Sequence, residues 1–160
     1  MSDNALSRSD LPGLVAAVVL VNVVGAAPAA LGGPDSAWFQ SLTKPELFPP
    51  AWAFGVVWTA LFTLLGVALY LVWRADAADR RLALGLFVAQ MAINVAWTPV
   101  FFRAQNLTLA LAVIVALFGV AAATAVVFRR IDTRAGLLFV PYLLWVAFAA
   151  VLNYRFIAVN

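Results

Sequence analysis

The sequence predicts an all-α integral membrane protein, built as a bundle of five transmembrane helices. Of its 160 residues, 66% are hydrophobic and 11% are charged, and the mean hydropathy is +1.01. A soluble domain is about half apolar and about a quarter charged, and a chain this short cannot bury so much apolar surface within itself. Lipid must therefore cover the excess. At about 20 residues per span, the apolar residues suffice for five helices and not for seven. This composition excludes a soluble enzyme, a nucleic-acid-binding protein and a disordered chain.

Five apolar runs, separated by short charged segments, predict the spans of a single domain, residues 1–160. The runs cover about 11–31, 51–73, 82–102, 107–128 and 135–157. None of them alternates as the strands of a β-barrel would, so we interpret all five as helices. The first run lacks the strongly basic leader of a signal peptide and is long enough to be a true span. The one long connection, residues 32–50, is rich in Pro, Gly and aromatic residues.

Arginine residues predict the orientation. Nine of the ten basic residues are arginine, and they lie at the ends of the apolar runs. One side of the membrane receives seven arginines, and the other receives Lys44, Arg103 and Arg155. Because basic residues favour the cytoplasmic side, we expect the N-terminus in the cytoplasm and the loop 32–50 outside. The Ala, Val and Arg bias indicates a GC-rich prokaryotic genome, and so we expect the prokaryotic cell membrane.

The chain lacks the residues of conventional catalytic and metal sites. It has no Cys and no His, which removes thiolates, sulfur ligands and the commonest general base. No Asp, Glu, Lys or Arg lies in the central part of a predicted span, whereas proton relays and ion paths depend on such residues. We therefore expect no metal site, no acid/base enzyme and no proton-coupled transport.

The third span has two distinct faces. One face carries amides and rings, at Gln90, Asn94, Trp97 and Phe101. About 140° around the helix lies a strip of small residues, Gly85, Ala89, Ala92 and Ala96. Small residues let helices approach closely in lipid, so the strip serves either packing within the monomer or a homodimer seam. The two amides serve either hydrogen bonds between helices or a ligand.

Aromatic residues line one face of two further spans. The second span stacks Phe54, Trp58 and Phe62 at four-residue intervals, and the fifth places Tyr142, Trp145, Ala149 and Asn153 on one face. Aromatic walls with a few amides suit a large, flat, apolar ligand that is held by stacking and a few hydrogen bonds. A small ion or a sugar would need more polar groups.

The motifs that carry these faces resemble a known family. In chain order they are Trp38-Phe39, Leu42, Lys44-Pro45, Pro49-Pro50, Trp52, Phe54, Val57-Trp58-Thr59, Gln90, Asn94, Trp97, Phe101-Phe102, Pro141-Tyr142-Leu143, Trp145 and Leu152-Asn153. They are similar to the motifs of the tryptophan-rich sensory protein (TspO/MBR) family. This family includes the mitochondrial translocator protein, also called the peripheral benzodiazepine receptor.

The resemblance implies a five-helix bundle, usually dimeric, with a pocket capped by the loop between the first two spans. Relatives bind porphyrins such as protoporphyrin IX, isoquinoline and benzodiazepine drugs, and in some cases sterols, and none of these is an obligatory cofactor. Some bacterial relatives degrade protoporphyrin IX in light. Trp58 and Trp145 match the tryptophan pair implicated there and are the catalytic candidates. Asn94, Trp97 and Ala149 match pocket positions of the family.

The residue patterns and the resemblance together predict a porphyrin-binding membrane receptor. The candidate ligand-binding residues are Trp38, Pro45, Phe54, Phe62, Gln90, Asn94, Trp97, Phe101, Tyr142 and Ala149. Without His or Cys as an axial ligand, haem is a poorer fit than a metal-free porphyrin. Passive transport or export of tetrapyrroles or sterol-like lipids, and regulation of a partner protein, remain alternatives. Whether the chain is an enzyme stays open.

Two positions depart from the family pattern. Leu47 stands where the family often has Trp, and Phe62 stands where relatives usually carry Tyr. The first change alters the loop, and the second removes a hydroxyl from the pocket wall. We expect both to affect ligand specificity and to leave the fold unchanged.

Overall fold

A computed structural model describes residues 7–160, apart from the side chain of Leu31. The first six residues of the predicted domain lie outside the described residues. Five helices of the described chain are long and apolar enough to cross a membrane, and the described residues contain no strand. Each helix occupies the place of a predicted span, with ends that differ by a few residues. The prediction of an all-α membrane protein with a five-helix bundle is therefore confirmed.

The described chain contains seven α-helices. They are α1 Leu11–Ala26, α2 Ala37–Ser41, α3 Ala51–Arg74, α4 Arg80–Thr98, α5 Leu107–Ile131, α6 Thr133–Leu137 and α7 Phe139–Val159. Short 3-10 turns, Arg8–Asp10 and Ala27–Leu31, extend α1 at its two ends, and a π-helical turn, Pro99–Arg103, extends α4. The short helix α2 lies in the long loop 32–50, which we call the lid.

Helix α5 packs against both α4 and α7, whereas α1 packs mainly against α3. Only one residue of α1, Val21, is buried. The small-residue face of α4 points away from the bundle, because Gly85, Ala89, Ala92 and Ala96 are all exposed. Packing within the monomer therefore does not account for this face.

Glycines allow α1 to lie unusually close to α3. A methyl carbon built on Gly66 would lie only 2.5 Å from the Cα atom of Val18, a backbone atom that cannot move aside. A methyl carbon on Gly25 would lie 2.4 Å from the ring of Phe62. At one end of this seam, the carboxylate of Asp10 accepts a hydrogen bond from the Tyr70 hydroxyl, at 2.7 Å, and pairs with Arg74 at 3.1 Å.

The lid is fastened at the opposite end of the bundle. The side chain of Asn160 bonds both backbone groups of Thr43: Oδ1 accepts from the N–H at 2.8 Å, and Nδ2 donates to the carbonyl at 3.1 Å. The ammonium of Lys44 donates to the carbonyl oxygens of Phe39 and Leu42 and lies over the Phe39 ring. The lid thus has a defined fold of its own.

The link between α5 and α6 depends on Asp132. Its Oδ1 accepts hydrogen bonds from the backbone N–H groups of Arg134, at 2.8 Å, and Ala135, at 3.4 Å, and so caps α6. Its carboxylate also pairs with the Arg134 guanidinium at 2.8 Å. The side-chain hydrogen bond from Arg134 is the main reason why the pKa of Asp132 lies below its usual value.

A buried hydrogen-bond network joins α4 to α7. The hydroxyl of Tyr142 donates to Oε1 of Gln90 at 2.8 Å and accepts from Nδ2 of Asn94 at 2.9 Å. Tyr142 and Gln90 have no exposed surface. The hydroxyl therefore meets the polar groups of two successive turns of α4 in a region that water does not reach.

We expect Gly66→Ala to destabilise the protein by about 1–3 kcal/mol, because the added methyl group would overpack the seam against the backbone of Val18. Gly119→Ala is the matched control: a methyl group there meets nothing within 4 Å. The control should stay within about 1 kcal/mol of the parent, on the stabilising side, since Ala is the better helix former. Thermal unfolding in detergent measures both. Equal melting temperatures for the two variants would contradict the close approach of α1 and α3.

We expect Tyr142→Phe to destabilise the bundle by about 1–3 kcal/mol, because Gln90 and Asn94 each lose a buried partner. Tyr154→Phe removes the same hydroxyl from a side chain that is 59% exposed, and it should leave stability unchanged. The same unfolding measurement compares the two variants. A Tyr142→Phe protein as stable as the parent would show that the network contributes nothing.

Candidate ligand-binding cavity

A cavity of about 420 Å³ lies between α1, α3, α4, α5, α7 and the lid. Its volume is within the range of small-molecule sites, about 300–1,000 Å³. The lining side chains that the structure describes are aromatic, aliphatic, hydroxyl or amide groups, and none of these is ionisable. They include no His, Cys, Met, Tyr or carboxylate, the usual ligands of metals and haem iron. A ligand here would be held by shape, stacking and neutral hydrogen bonds.

Most of the predicted site residues line this cavity. They come from three helices and the π-helical turn: Phe54, Trp58, Phe62, Asn94, Trp97, Phe101, Trp145 and Ala149. The four-residue spacing in α3 and α7 indicated this placement, because residues one helical turn apart share a face. The structure thus brings together the aromatic faces of helices that are distant in sequence.

The other four predicted residues lie elsewhere. Gln90 and Tyr142 lie behind Asn94, where they bond one another. Trp38 packs its edge against Phe101, with ring centroids 5.8 Å apart. Pro45 is buried in the lid and borders a separate groove beside Leu47. The helical spacing in α4 gives the shared face correctly, but it does not show that Gln90 lies one turn beyond the cavity.

The two candidate catalytic tryptophans form a corner of the cavity. The rings of Trp58 and Trp145 lie perpendicular, with centroids 6.4 Å apart. Phe62 stacks on Trp58 at 5.2 Å, and Phe54 meets Trp145 edge-on at 6.0 Å. The Nε1 of Trp145 is buried and has no hydrogen-bond partner among the described residues. An aromatic ligand in this corner would contact at least one indole ring.

The polar part of the wall is held in place from behind. Nε1 of Trp97 donates to Oδ1 of Asn153 at 3.2 Å, and Nδ2 of Asn153 donates to the carbonyl of Leu107 at 2.9 Å. These bonds fix the Trp97 ring and link α4, α7 and the start of α5. Asn94 is anchored by Tyr142 in the same way. The cavity wall is therefore organised before any ligand binds.

The lid closes the cavity with aromatic side chains. Phe39 is the centre of this cluster, and its ring lies within 6.2 Å of the rings of Phe48, Phe101, Phe102 and Phe156. Two successive residues of the π-helical turn that begins at Pro99, Phe101 and Phe102, both line the cavity.

Sequence reasoning predicted that the loop caps the pocket, but it missed three sets of lining residues. In the lid these are Phe39 and Phe48, whose signal was the presence of aromatic residues in a loop. Helix α5 contributes Ile114 and Leu117, and the second half of α1 with the turn after it contributes Asn22, Gly25 and Ala29. Helix α1 is apolar on all sides, so its sequence gives no pattern that distinguishes an inward face. Its one polar side chain, Asn22, was the available signal.

Comparison with known proteins places the chain in a family. The TspO/MBR family model matches residues 15–159. The chain is 40% identical over 137 residues to the tryptophan-rich sensory protein of Cereibacter sphaeroides, covering 84% of this chain and 85% of that protein. It is 40% identical over 120 residues to the human translocator protein, covering 73% and 71%. It is 32% identical over 148 residues to the tryptophan-rich protein TspO of Archaeoglobus fulgidus, covering 92% and 96%. These matches confirm the family that the motifs predicted, and the chain belongs to the TspO/MBR family of membrane proteins.

Proposed function

We propose that this protein is a membrane receptor for porphyrins, such as protoporphyrin IX, and for related flat apolar ligands. The observation that carries the proposal is the cavity: it lies within the bundle, its walls carry ten aromatic side chains, and none of the described lining residues is ionisable. Flat aromatic surfaces stack well on such walls. With the N-terminus in the cytoplasm of a prokaryotic cell, the lid and its end of the cavity face outward.

The polar edge of a porphyrin defines its orientation in the cavity. Protoporphyrin IX carries carboxylates, and an unpaired charge is costly in an apolar interior. The carboxylates therefore belong at the lid end, where Gly33 and Pro34 line the wall. Arg103, exposed and directly after Phe102, is a cation available near that end. The macrocycle then lies deeper, against Trp58 and Trp145.

The same arrangement supports a light-dependent activity. A porphyrin bound in the tryptophan corner lies in contact with an indole, and Trp58 or Trp145 would donate an electron to the excited macrocycle. Dioxygen from solution is the oxidant that net degradation of the porphyrin requires. Conventional acid/base chemistry has no candidate groups in the lining. Degradation of the porphyrin in light is thus the enzymatic form of the proposal, and binding alone is its simpler form.

Titration with protoporphyrin IX in the dark tests binding. We expect saturable quenching of tryptophan fluorescence, together with a shift of the porphyrin absorption bands. Illumination of the same sample then tests turnover. Light-dependent loss of the porphyrin bands supports photochemistry, whereas a stable spectrum supports binding or sensing without turnover. Absence of saturable quenching would contradict the porphyrin site.

Replacing both Trp58 and Trp145 by Phe separates binding from photochemistry. Affinity should fall by less than about tenfold, because Phe keeps an aromatic face and aromatic pairs are worth about 0.5–1.5 kcal/mol. Light-dependent loss of the porphyrin spectrum should stop. The matched control replaces Trp52 and Trp73, which are 71% and 64% exposed on the outer surface. Degradation at the parental rate in the first variant would reject the role of the tryptophan pair.

Passive carriage of the same ligands is the second candidate. The lining contains no ionisable group that could couple movement to a proton gradient, and the human relative is named a translocator protein. A carrier would move porphyrin across sealed proteoliposomes at a rate independent of a pH gradient. A receptor would bind porphyrin and leave it on the side to which it was added.

The exposed small-residue face of α4 supports a homodimer through Gly85, Ala89, Ala92 and Ala96. No described residue of the monomer covers this face, and small residues allow two helices to approach closely. Because the chain has no cysteine, a variant with one introduced cysteine can form a disulfide only between two copies of that position. The disulfide then shows that the two copies lie close together. Ala92→Cys should form a disulfide-linked dimer in membranes under mild oxidation. Ala112→Cys, exposed on α5, should remain monomeric. Equal cross-linking of the two variants would contradict this seam.

A further inference from the structure

Asn22 is the only polar side chain of α1, and it lies where α1 meets both α3 and the cavity. It is partly buried, and it occupies the middle of a helix that crosses the bilayer. A polar group in this setting must be paired or must serve a ligand. The hydrogen bonds of its amide show which atom is used by the fold and which is not.

The nitrogen of the amide is fully used by the fold. Nδ2 donates to the carbonyl oxygen of Val18 at 3.0 Å and to Oγ1 of Thr63 at 3.2 Å. A carbonyl can only accept. The Thr63 hydroxyl donates its own hydrogen to the carbonyl of Thr59 at 2.8 Å, so it too must accept from Asn22. These two partners fix the orientation of the amide and occupy both of its hydrogens.

The oxygen of the amide is left without a donor. No described residue donates to Oδ1 of Asn22. Among the described residues, the side-chain polar atoms that are fully buried and lack a partner belong to Gln90 and Trp145. Oδ1 of Asn22 also lacks a partner but is not one of these buried atoms, so part of its surface is accessible. Asn22 is therefore a fixed, unpaired acceptor on the wall of an apolar cavity. Such a group favours a ligand that brings a donor, because it otherwise stays unpaired when the ligand displaces water.

We propose that Asn22 is a specificity-determining residue that selects ligands with an N–H or O–H donor at their edge. This inference rests on the cavity being the ligand site proposed above. The ligand class becomes a flat, apolar body that places one donor toward α1. A ligand whose donor is blocked by a methyl group leaves Oδ1 unpaired and crowds it.

Carbazole and N-methylcarbazole form a matched, uncharged probe pair that differs in one donor. Calorimetric titration of the protein in one detergent gives a dissociation constant for each probe, and the ratio of the two constants measures selectivity. Comparing this ratio between protein variants cancels the different partitioning of the probes into detergent. We take selectivity as the dissociation constant of N-methylcarbazole divided by that of carbazole. This ratio should be about ten times larger in the parent than in Asn22→Ala, the factor typical of one neutral hydrogen bond.

Thr63→Ser is the matched control, because it keeps the hydroxyl that accepts from Nδ2 of Asn22 and so leaves the amide fixed. It should retain the selectivity of the parent. Asn22→Leu fills the space without an acceptor and should lose the selectivity, as Asn22→Ala does. A ratio unchanged by either Asn22 substitution, with both probes bound, overturns the role of Asn22 and leaves the cavity site intact. Failure of the parent to bind either probe overturns this inference together with the proposed ligand class.

Discussion

In the hydrocarbon core of a bilayer no water pairs with a polar side chain, so each such group must find its partner within the protein. This constraint organises the bundle. Tyr142 links Gln90 and Asn94 between α7 and α4, while Asn153 links Trp97 to the start of α5. On the other side, Asn22 joins α1 to α3 through Thr63. The hydrophobic effect does not drive helices together in lipid, so these few bonds contribute to the register of the helices together with close packing, as at Gly66.

The same constraint determines which polar atoms of the site bond within the fold and which remain available to a ligand. Polar atoms that the fold uses lie behind the wall, as with Oε1 of Gln90, whereas the surface that remains for a ligand is mostly apolar and neutral. The cavity therefore discriminates by shape and by the few polar atoms left over. Fixed aromatic walls reduce the ordering cost of binding, and the bonds behind Trp97 and Asn94 provide that rigidity. The lid completes the enclosure with Phe39, which is itself fixed by Lys44.

The sequence predicted the bundle and most of the cavity wall because both depend on regular periodicity. Long apolar runs mark helices, and four-residue spacing marks the faces of α3, α4 and α7. Periodicity gives a direction around a helix but not a depth along it, so it grouped Gln90 with Asn94, although only Asn94 reaches the cavity. It also fails where the pattern is irregular or uniform. Phe102 lies in the π-helical turn, outside the four-residue spacing of α4, and the almost uniformly apolar α1 reveals no inward face.

The two departures from the family pattern have different consequences in three dimensions. Leu47 is exposed and borders the groove outside the lid, so it does not touch the cavity. Phe62 lines the cavity and stacks on Trp58, so the hydroxyl that relatives usually carry at this position is absent from the wall itself. The Phe62 ring lies against Gly25, less than one helical turn from Asn22. Asn22 on α1 supplies a polar group near this ring, and its free oxygen is placed to accept a hydrogen bond from a ligand. A donor group on a ligand would thus be recognised by α1 and not by the aromatic wall. Helix α1 is the one whose inward face the sequence pattern does not show.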